Sequence, residues 1–440
     1  MLLPQSESEI ASILEAANRH DLKLVISAGR TGLVEAQRPD GECVLSLEKL
    51  NRILAIDPQA RLATVEAGVS IDALNAALEP SRLVFPMEMG SSLSATVGAC
   101  VANGSAGANA ICYGTAANLC DAAWGFWGDG SAAGPDSGEI WRAPAPDRLA
   151  INSAHFRASL IGSQGALGVI TRVRVRLHPI PAQREAALIP VDSMPQAMDV
   201  LAAAHAEFPG DVEEFEFISR EAMELVRVAK GAAFRLPFER DPQARFYLLL
   251  QVKSASSEDD LTTRLYEFLA NELALPEDQI GYAPLKALKE IRHSITESSN
   301  LRMRTRGGGR LAFDTATPTG VFGDYLAALE SEIRKSHPHV EFVAFGHAGV
   351  GGAHLHLLGD AAHPVEASSQ ELVQLVLDVT ERFGGTFSAE HGVGTKWSEA
   401  FARRTPPAAL REMVAAKRMR DPNNVLNPRA FGFDRLLAQP

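Results

Sequence analysis

The sequence predicts an α+β protein of at least two domains, the second built on an antiparallel sheet with helices on one face. Three observations carry this. The 440 residues exceed what one hydrophobic core ordinarily supports. Up to about residue 178, short strand-like runs alternate with loops rich in glycine, serine and alanine, and after "LHPIPAQRE" (177–185) that texture ends. Beyond it, longer helical patterns alternate with apolar strand-like runs, an order that suits helices laid on an antiparallel sheet.

In chain order, residues 6–19 place Ile10, Ile13, Leu14 and Ala17 at helical spacing behind Ser6 and Ser8, either of which suits an N-cap. "LKLVIS" follows as a buried strand, then the turn "AGRTGL", and "CVLSL", "ATVEA" and "GVITRVRVRL" read as further strands. The two prolines of "LHPIPAQRE" mark the domain boundary, giving domains over 1–178 and 179–400 and a closing segment over 401–440. Helices are expected near 193–207, 219–229, 258–273, 284–298, 321–335 and 368–383, and strands at "EEFEFI", "FYLLLQV", "RLAFDT", "EFVAF" and "HLHLL". The closing "RDPNNVLNPRAFG" has turn chemistry and is expected to lie back on another part of the molecule.

Composition narrows the function. A formal charge of −12 excludes a general binder of nucleic acid or anionic membrane, which needs a basic surface to displace counterions. The run "LRMRTRGGGR" (301–310) is a local exception and reads first as a solvated loop. No charged-then-apolar leader and no long apolar stretch is present, so the expected location is the cytoplasm, with peripheral attachment to a membrane partner left open. Cys43, Cys100, Cys112 and Cys120 form no CxxC pair and read as reduced structural thiols.

"FGHAGVGGAHLHLL" (345–358) sets three histidines among glycines. If "EFVAF" and "HLHLL" pair as a hairpin, alternation puts His354 and His356 on one face, and His347 can lie across from His354. "FSAEHGVGTKW" (387–397) adds Glu390 and His391. Two imidazoles and a carboxylate suit a divalent metal with an open position, and the neighbouring His391 suits a base near neutral pH. Two glycine-rich turns that merely carry histidines remain the alternative.

The glycine-rich loops of the first part, "SAGRTGL" (27–33), "FPMEMGSSLSATVGACVANGSAGANAICYGT" (85–115) and "LIGSQGALGVIT" (160–171), offer backbone N–H groups to something large, flat and anionic. Neither GxGxxG spacing nor a GxxxxGK[ST] loop occurs.

Together these motifs resemble the FAD-linked oxidase family of the vanillyl-alcohol oxidase superfamily, in its D-2-hydroxyglutarate, D-lactate and glycolate dehydrogenase branch. Ala28, Gly29, Arg30, Thr31, Gly32 and Leu33 resemble the family's pyrophosphate turn, with Arg30 in place of a glycine. Pro86, Gly90, Ser91, Ala95, Thr96, Gly98, Ser105 and Gly107 fall in its next two loops, and Gly162 through Gly168, with Val169 and Ile170, in a third. The resemblance implies a non-covalently bound FAD held by these residues and by Asn427 of "LNP". It implies an FAD-binding domain of two α/β subdomains (1–178), a substrate or cap domain with the metal site (179–400), and a C-terminal segment returning to the FAD domain (401–440).

By the same resemblance, His347, His354 and Glu390 would be ligands of a divalent metal, in the first instance zinc, and His391 the catalytic base. Arg292 and Thr296 would hold the substrate carboxylate, for which a guanidinium fork is suited, and His356 would face flavin and substrate. The implied reaction is oxidation of a 2-hydroxy acid to a 2-oxo acid by hydride transfer to flavin, with a protein or quinone as electron acceptor and a homodimer or a larger complex as assembly. Departures are Val350 for an aspartate, Gly352 for an asparagine, and Ala312 for a lysine. These, with a chain that starts part-way into the family's first unit, support the alternative of a non-catalytic or electron-transferring flavoprotein subunit. A zinc hydrolase would lack an HExxH helix and leave the first-part loops unused.

Overall fold

The computed structural model describes residues 1–135, 160–239 and 243–438. Its contacts divide the chain into two compact units, one of Met1–Gly107, Tyr113–Ile180 and Glu390–Pro440, the other of Ala108–Cys112 and Pro181–Ala389. The break after Ile180 falls within "LHPIPAQRE", where the prolines interrupt strand pairing. Residues 390–400, read from sequence as part of the second domain, group with the first unit instead.

The first unit opens with helix α1 (Glu7–His20), where Ser6 accepts the Glu9 N–H at 3.3 Å and Ile10, Leu14 and Ala17 are buried. A parallel pair follows, β1 (Leu24–Ser27) and β2 (Cys43–Ser46), in register Leu24 to Cys43. The main sheet is antiparallel, in the order β3 (Ile53–Asp57), β4 (Leu62–Glu66), β7 (Gly168–Arg176), β5 (Cys120–Trp127) and β6 (Ala132–Ala133). Helices α2 (Ile71–Leu78) and α3 (Val97–Asn103) share its core through Leu74, Leu78, Val97 and Val101. The closing segment returns to this unit, where Leu426 bridges Leu24 in parallel. β5, "CDAAWGFW", was not read from the sequence: its first half is Asp and small residues, and Gly125 breaks the aromatic run of Trp124, Phe126 and Trp127.

The second unit is a six-stranded antiparallel sheet in the order β8 (Gln183–Val191), β10 (Phe246–Ser254), β9 (Val212–Ser219), β12 (Glu341–Gly346), β13 (Gly352–Leu358) and β11 (Arg310–Ala316). Its helices are α4 (Met194–Glu207), α5 (Arg220–Lys230), α6 (Leu261–Glu267), α7 (Leu285–His293), α8 (Ile295–Arg306), α9 (Phe322–Ser336) and α10 (Ser369–Arg382). They cover both faces rather than one. Ile218 of β9 packs with Met223, Leu288, Ile291 and Ile295, whereas Phe217, its neighbour on the opposite face, meets the Phe322 ring at 5.5 Å. β9 is buried at every position, as a strand covered twice must be.

The helix expected over 284–298 is interrupted at Ser294, whose hydroxyl bonds back to the Glu290 carbonyl, a contact that bends helices. The arginine-rich stretch is the end of α8 and the start of β11 rather than a loop, with Arg302 paired to Glu341 at 3.0 Å. No helix among the described residues is long and apolar enough to cross a membrane.

Candidate active site

In the first unit, β1 runs into the turn Ala28–Gly32, which forms one side of an open cleft. Gly98, Ala99 and Ala102 of α3 form another side, and Gln164, Gly165, Gly168, Ile170 and Asn427 complete it. Thus Ala28, Gly29, Arg30, Thr31, Gly32, Gly98, Gly168, Ile170 and Asn427 of the expected cofactor residues line one cavity. Leu33 is exposed, and Pro86, Gly90, Ser91, Ala95, Thr96, Ser105, Gly107, Gly162 and Val169 lie outside the lining.

Two glycines here answer to packing. A Cβ on Gly29 would stand 2.0 Å from the Ser94 carbonyl oxygen, and one on Gly98 2.4 Å from the Ala67 Cβ. Close approach of backbone shapes the cavity walls. Thr96 acts through α3, capping it by accepting the Ala99 N–H at 3.4 Å.

Arg30, expected to stand at a glycine position, has a left-handed backbone, with φ of 56°. Its guanidinium stands 3.3 Å from Glu48, an exposed pair of little worth. Relieving the Cβ clash outweighs the added chain entropy, so Arg30→Gly is expected to raise stability by about 0.5 to 1 kcal/mol, read as a higher urea midpoint; an unchanged or lower midpoint would refute the strain.

Asn427, expected from the sequence, and Gln164 and Lys417, which were not singled out there, hold the cleft together. Asn427 accepts the Ile26 N–H at 2.8 Å and donates to the Gln164 carbonyl, while Gln164 accepts the Gly394 N–H at 2.7 Å. The Gly-x-Gly after His391 is therefore tied to the cleft's own loop. Beneath it, the fully buried Lys417 donates to Asp421, to the Ala166 carbonyl at 2.6 Å and to the Leu426 carbonyl at 2.8 Å. Burial lowers the Lys417 pKa to about 8 despite the adjoining Asp421.

In the second unit, strand alternation gathers the polar groups on one face of the sheet. β13 carries His354 and His356, β11 carries Ala312 and Asp314, and register pairs His354 with Asp314 and His356 with Ala312. On the other flank Phe345 of β12 pairs with His354 and with Ile218 of β9, which aligns Glu216 and Glu214 on the same face. The His347 and His354 rings meet edge to face at 5.2 Å. His354 Nδ1 stands 3.7 Å from Asp314 Oδ1, and His347 Nδ1 bonds Glu216 Oε1.

Arg292 of α7 donates from Nε to Glu216 Oε2 and lies over the Phe345 ring at 4.8 Å. Burial alone would raise the Glu216 carboxyl, but Arg292 and then His347 hold it well below the ordinary carboxylate range. His356 is buried, with Nδ1 2.9 Å from Ser299 Oγ of α8. Thr296 is exposed, so the hydroxyl that α8 turns toward this face belongs to Ser299. Glu390 and His391 belong to the first unit. They follow directly on Ser388, which bridges Asp314, and Ala389, whose N–H donates to the Asp314 carbonyl at 3.3 Å.

The comparisons agree with this picture. Residues 180–430 match the family "FAD linked oxidases, C-terminal domain", and residues 1–131 match "FAD binding domain". The chain is 29% identical to D-2-hydroxyglutarate dehydrogenase of Xanthomonas citri pv. viticola, covering 97% of this chain and 87% of that protein. It is 26% identical to the mitochondrial D-2-hydroxyglutarate dehydrogenase of Bos taurus, covering 97% and 76%. Among solved structures, p-cresol methylhydroxylase superposes with a TM-score of 0.71 at 16% identity, covering 98% of this chain and 88% of that one, a likeness of fold. Matched over more than half its length, and carrying the cleft that this architecture builds, the chain belongs to the family of FAD-linked oxidases.

Proposed function

We propose that the chain is an FAD-dependent dehydrogenase that oxidises a 2-hydroxy acid to the 2-oxo acid with a divalent metal's help. One observation carries the reading: Arg292, His347 and His354 share one sheet face, and both histidines present Nδ1 to a carboxylate. That pattern is typical of metal-binding imidazoles, whose second nitrogen is oriented by an acid. The names of the relatives favour D-2-hydroxyglutarate among acids of the lactate and glycolate type.

The residues fit both groups. The cleft lined by Ala28–Gly32, Gly98, Gly168 and Asn427 offers small side chains and backbone amides to FAD, and the donor set of two imidazoles plus Glu390 suits zinc. When bound, FAD supplies the hydride acceptor and the metal the acidification of the α-hydroxyl. The chain's own residues do the rest. Arg292 binds the carboxylate, His391 takes the hydroxyl proton, and Ser299 fixes the ring of His356 beside the substrate. Ala312, opposite His356, leaves room for the acid's side chain. The electrons then pass to a protein or quinone acceptor.

The test is the visible spectrum of the purified protein, then anaerobic addition of D-2-hydroxyglutarate, D-lactate or glycolate with and without a chelator. The expected result is a flavin band that one acid bleaches and that the chelator protects. A colourless protein that FAD does not restore would overturn the reading in favour of a non-catalytic subunit; bleaching that is indifferent to the chelator would remove the metal.

A further inference from the structure

Two buried acids on β9 point to the same sheet face, yet they have different partners. Glu214 pairs with Lys289 at 3.0 Å, an ion pair within the wall of the unit. Glu216, two residues on and fully buried, divides its two oxygens: Oε1 receives His347 Nδ1 and Oε2 receives Arg292 Nε. A fully buried carboxylate needs full satisfaction by charged or hydrogen-bonding partners, and here one carboxylate is satisfied by two residues of different assignment.

We infer that Glu216 is a positioning residue that couples metal binding to substrate-carboxylate binding. The inference rests on the metal-assisted reading above. A guanidinium has donors on two edges. With Nε spent on Glu216, and the plane of the group laid on the Phe345 ring at 4.8 Å, the two terminal nitrogens form the edge left to grip a carboxylate bidentately. On the other side, a carboxylate at Nδ1 fixes the His347 tautomer, so that Nε2 carries the lone pair. One side chain therefore sets the direction of both the substrate clamp and a metal ligand.

Charge supports the same link. Glu216 neutralises Arg292, whose positive charge would otherwise repel a divalent cation beside His347. A displacement of Glu216 by either ligand is felt at the other, since both bonds leave the same carboxylate.

The experiment compares Glu216→Gln and Glu216→Asp with Glu214→Gln, in full-length protein reconstituted with FAD. Zinc affinity is measured by competition with a chromophoric chelator, and kcat and KM are measured with the acid that bleaches the wild type. Glu216→Gln is expected to weaken zinc binding about 10-fold to 100-fold and to raise KM by a similar factor. Glu216→Asp keeps the charge but is too short to bridge both partners, and is expected to fall between. Glu214→Gln changes the charge in the same wall and is expected to leave zinc affinity within about twofold of wild type, since the ion pair of Glu214 is with Lys289.

Wild-type zinc affinity and KM in a folded Glu216→Gln protein would overturn the inference, as would an equal loss in Glu214→Gln, which would mark a merely structural effect. If Glu216→Gln does not fold, the zinc affinity of Glu216→Asp decides: unchanged binding overturns the inference and weakened binding supports it. Wild-type protein that oxidises a 2-hydroxy acid yet binds no zinc would overturn the metal reading itself, which these outcomes keep distinct.

Discussion

Lys417→Met is expected to destabilise the protein by about 3–5 kcal/mol, the usual result of removing one partner from a buried ion pair. Lys417 and Asp421 are both fully buried. The ammonium satisfies the Ala166 and Leu426 carbonyls as well as Asp421, and Asp421 in turn accepts the Val425 N–H at 2.8 Å and the Leu426 N–H at 2.9 Å. Methionine fills the volume but leaves a carboxylate and two carbonyls without their donor. The damage should reach the cofactor, because the segment so held ends in Asn427, whose side chain fixes Ile26 and the Gln164 loop at the cleft. The expected readouts are a lower urea midpoint and less flavin retained per chain; a variant as stable as wild type would remove this network from the account.

The same lysine gives a pH signature. Its pKa falls from 10.5 in the unfolded chain to about 8 in the folded one. Below pH 8 both states hold the proton and the group contributes no slope. Between pH 8 and 10.5 the unfolded state binds more protons, so stability from this group rises with pH and levels off above. Wild type should therefore gain on Lys417→Met across that window in paired urea titrations. A constant gap would contradict the lowered pKa.

What could be read from the sequence followed from backbone periodicity. "HLHLL" fixes that His354 and His356 share a face because strand alternation leaves no other choice, and the glycine loops around 28–32 and 162–168 announce close backbone approach. Long-range partners had no such signal. Nothing in "EEFEFI" says that Glu216 meets Arg292, 76 residues on, although acids inside an otherwise apolar strand already ask for buried partners. Thr296 was expected beside Arg292 from the family resemblance, but the bend at Ser294 separates α7 from α8, and Ser299 is the hydroxyl found beside His356. One-sided helix packing was expected from the order of helices and strands; the acids of "EEFEFI" are buried too, and the strand is covered on both faces.

His391→Ala is expected to lower kcat by about 100-fold to 10,000-fold, the range that a positioned general base supplies, while flavin content stays at the wild-type level. The two outcomes separate because His391 lies outside the cleft's lining, and the bond that joins its neighbourhood to that cleft, Gly394 N–H to Gln164, comes from the backbone. Truncating the imidazole leaves that bond in place. KM should move little if Arg292 carries carboxylate binding, since an interaction made chiefly in the transition state appears in kcat. The opposite pattern, a raised KM at normal kcat, would make His391 a binding residue. Loss of flavin in proportion to activity would make it a structural one, and activity within a few fold of wild type would exclude it as the base.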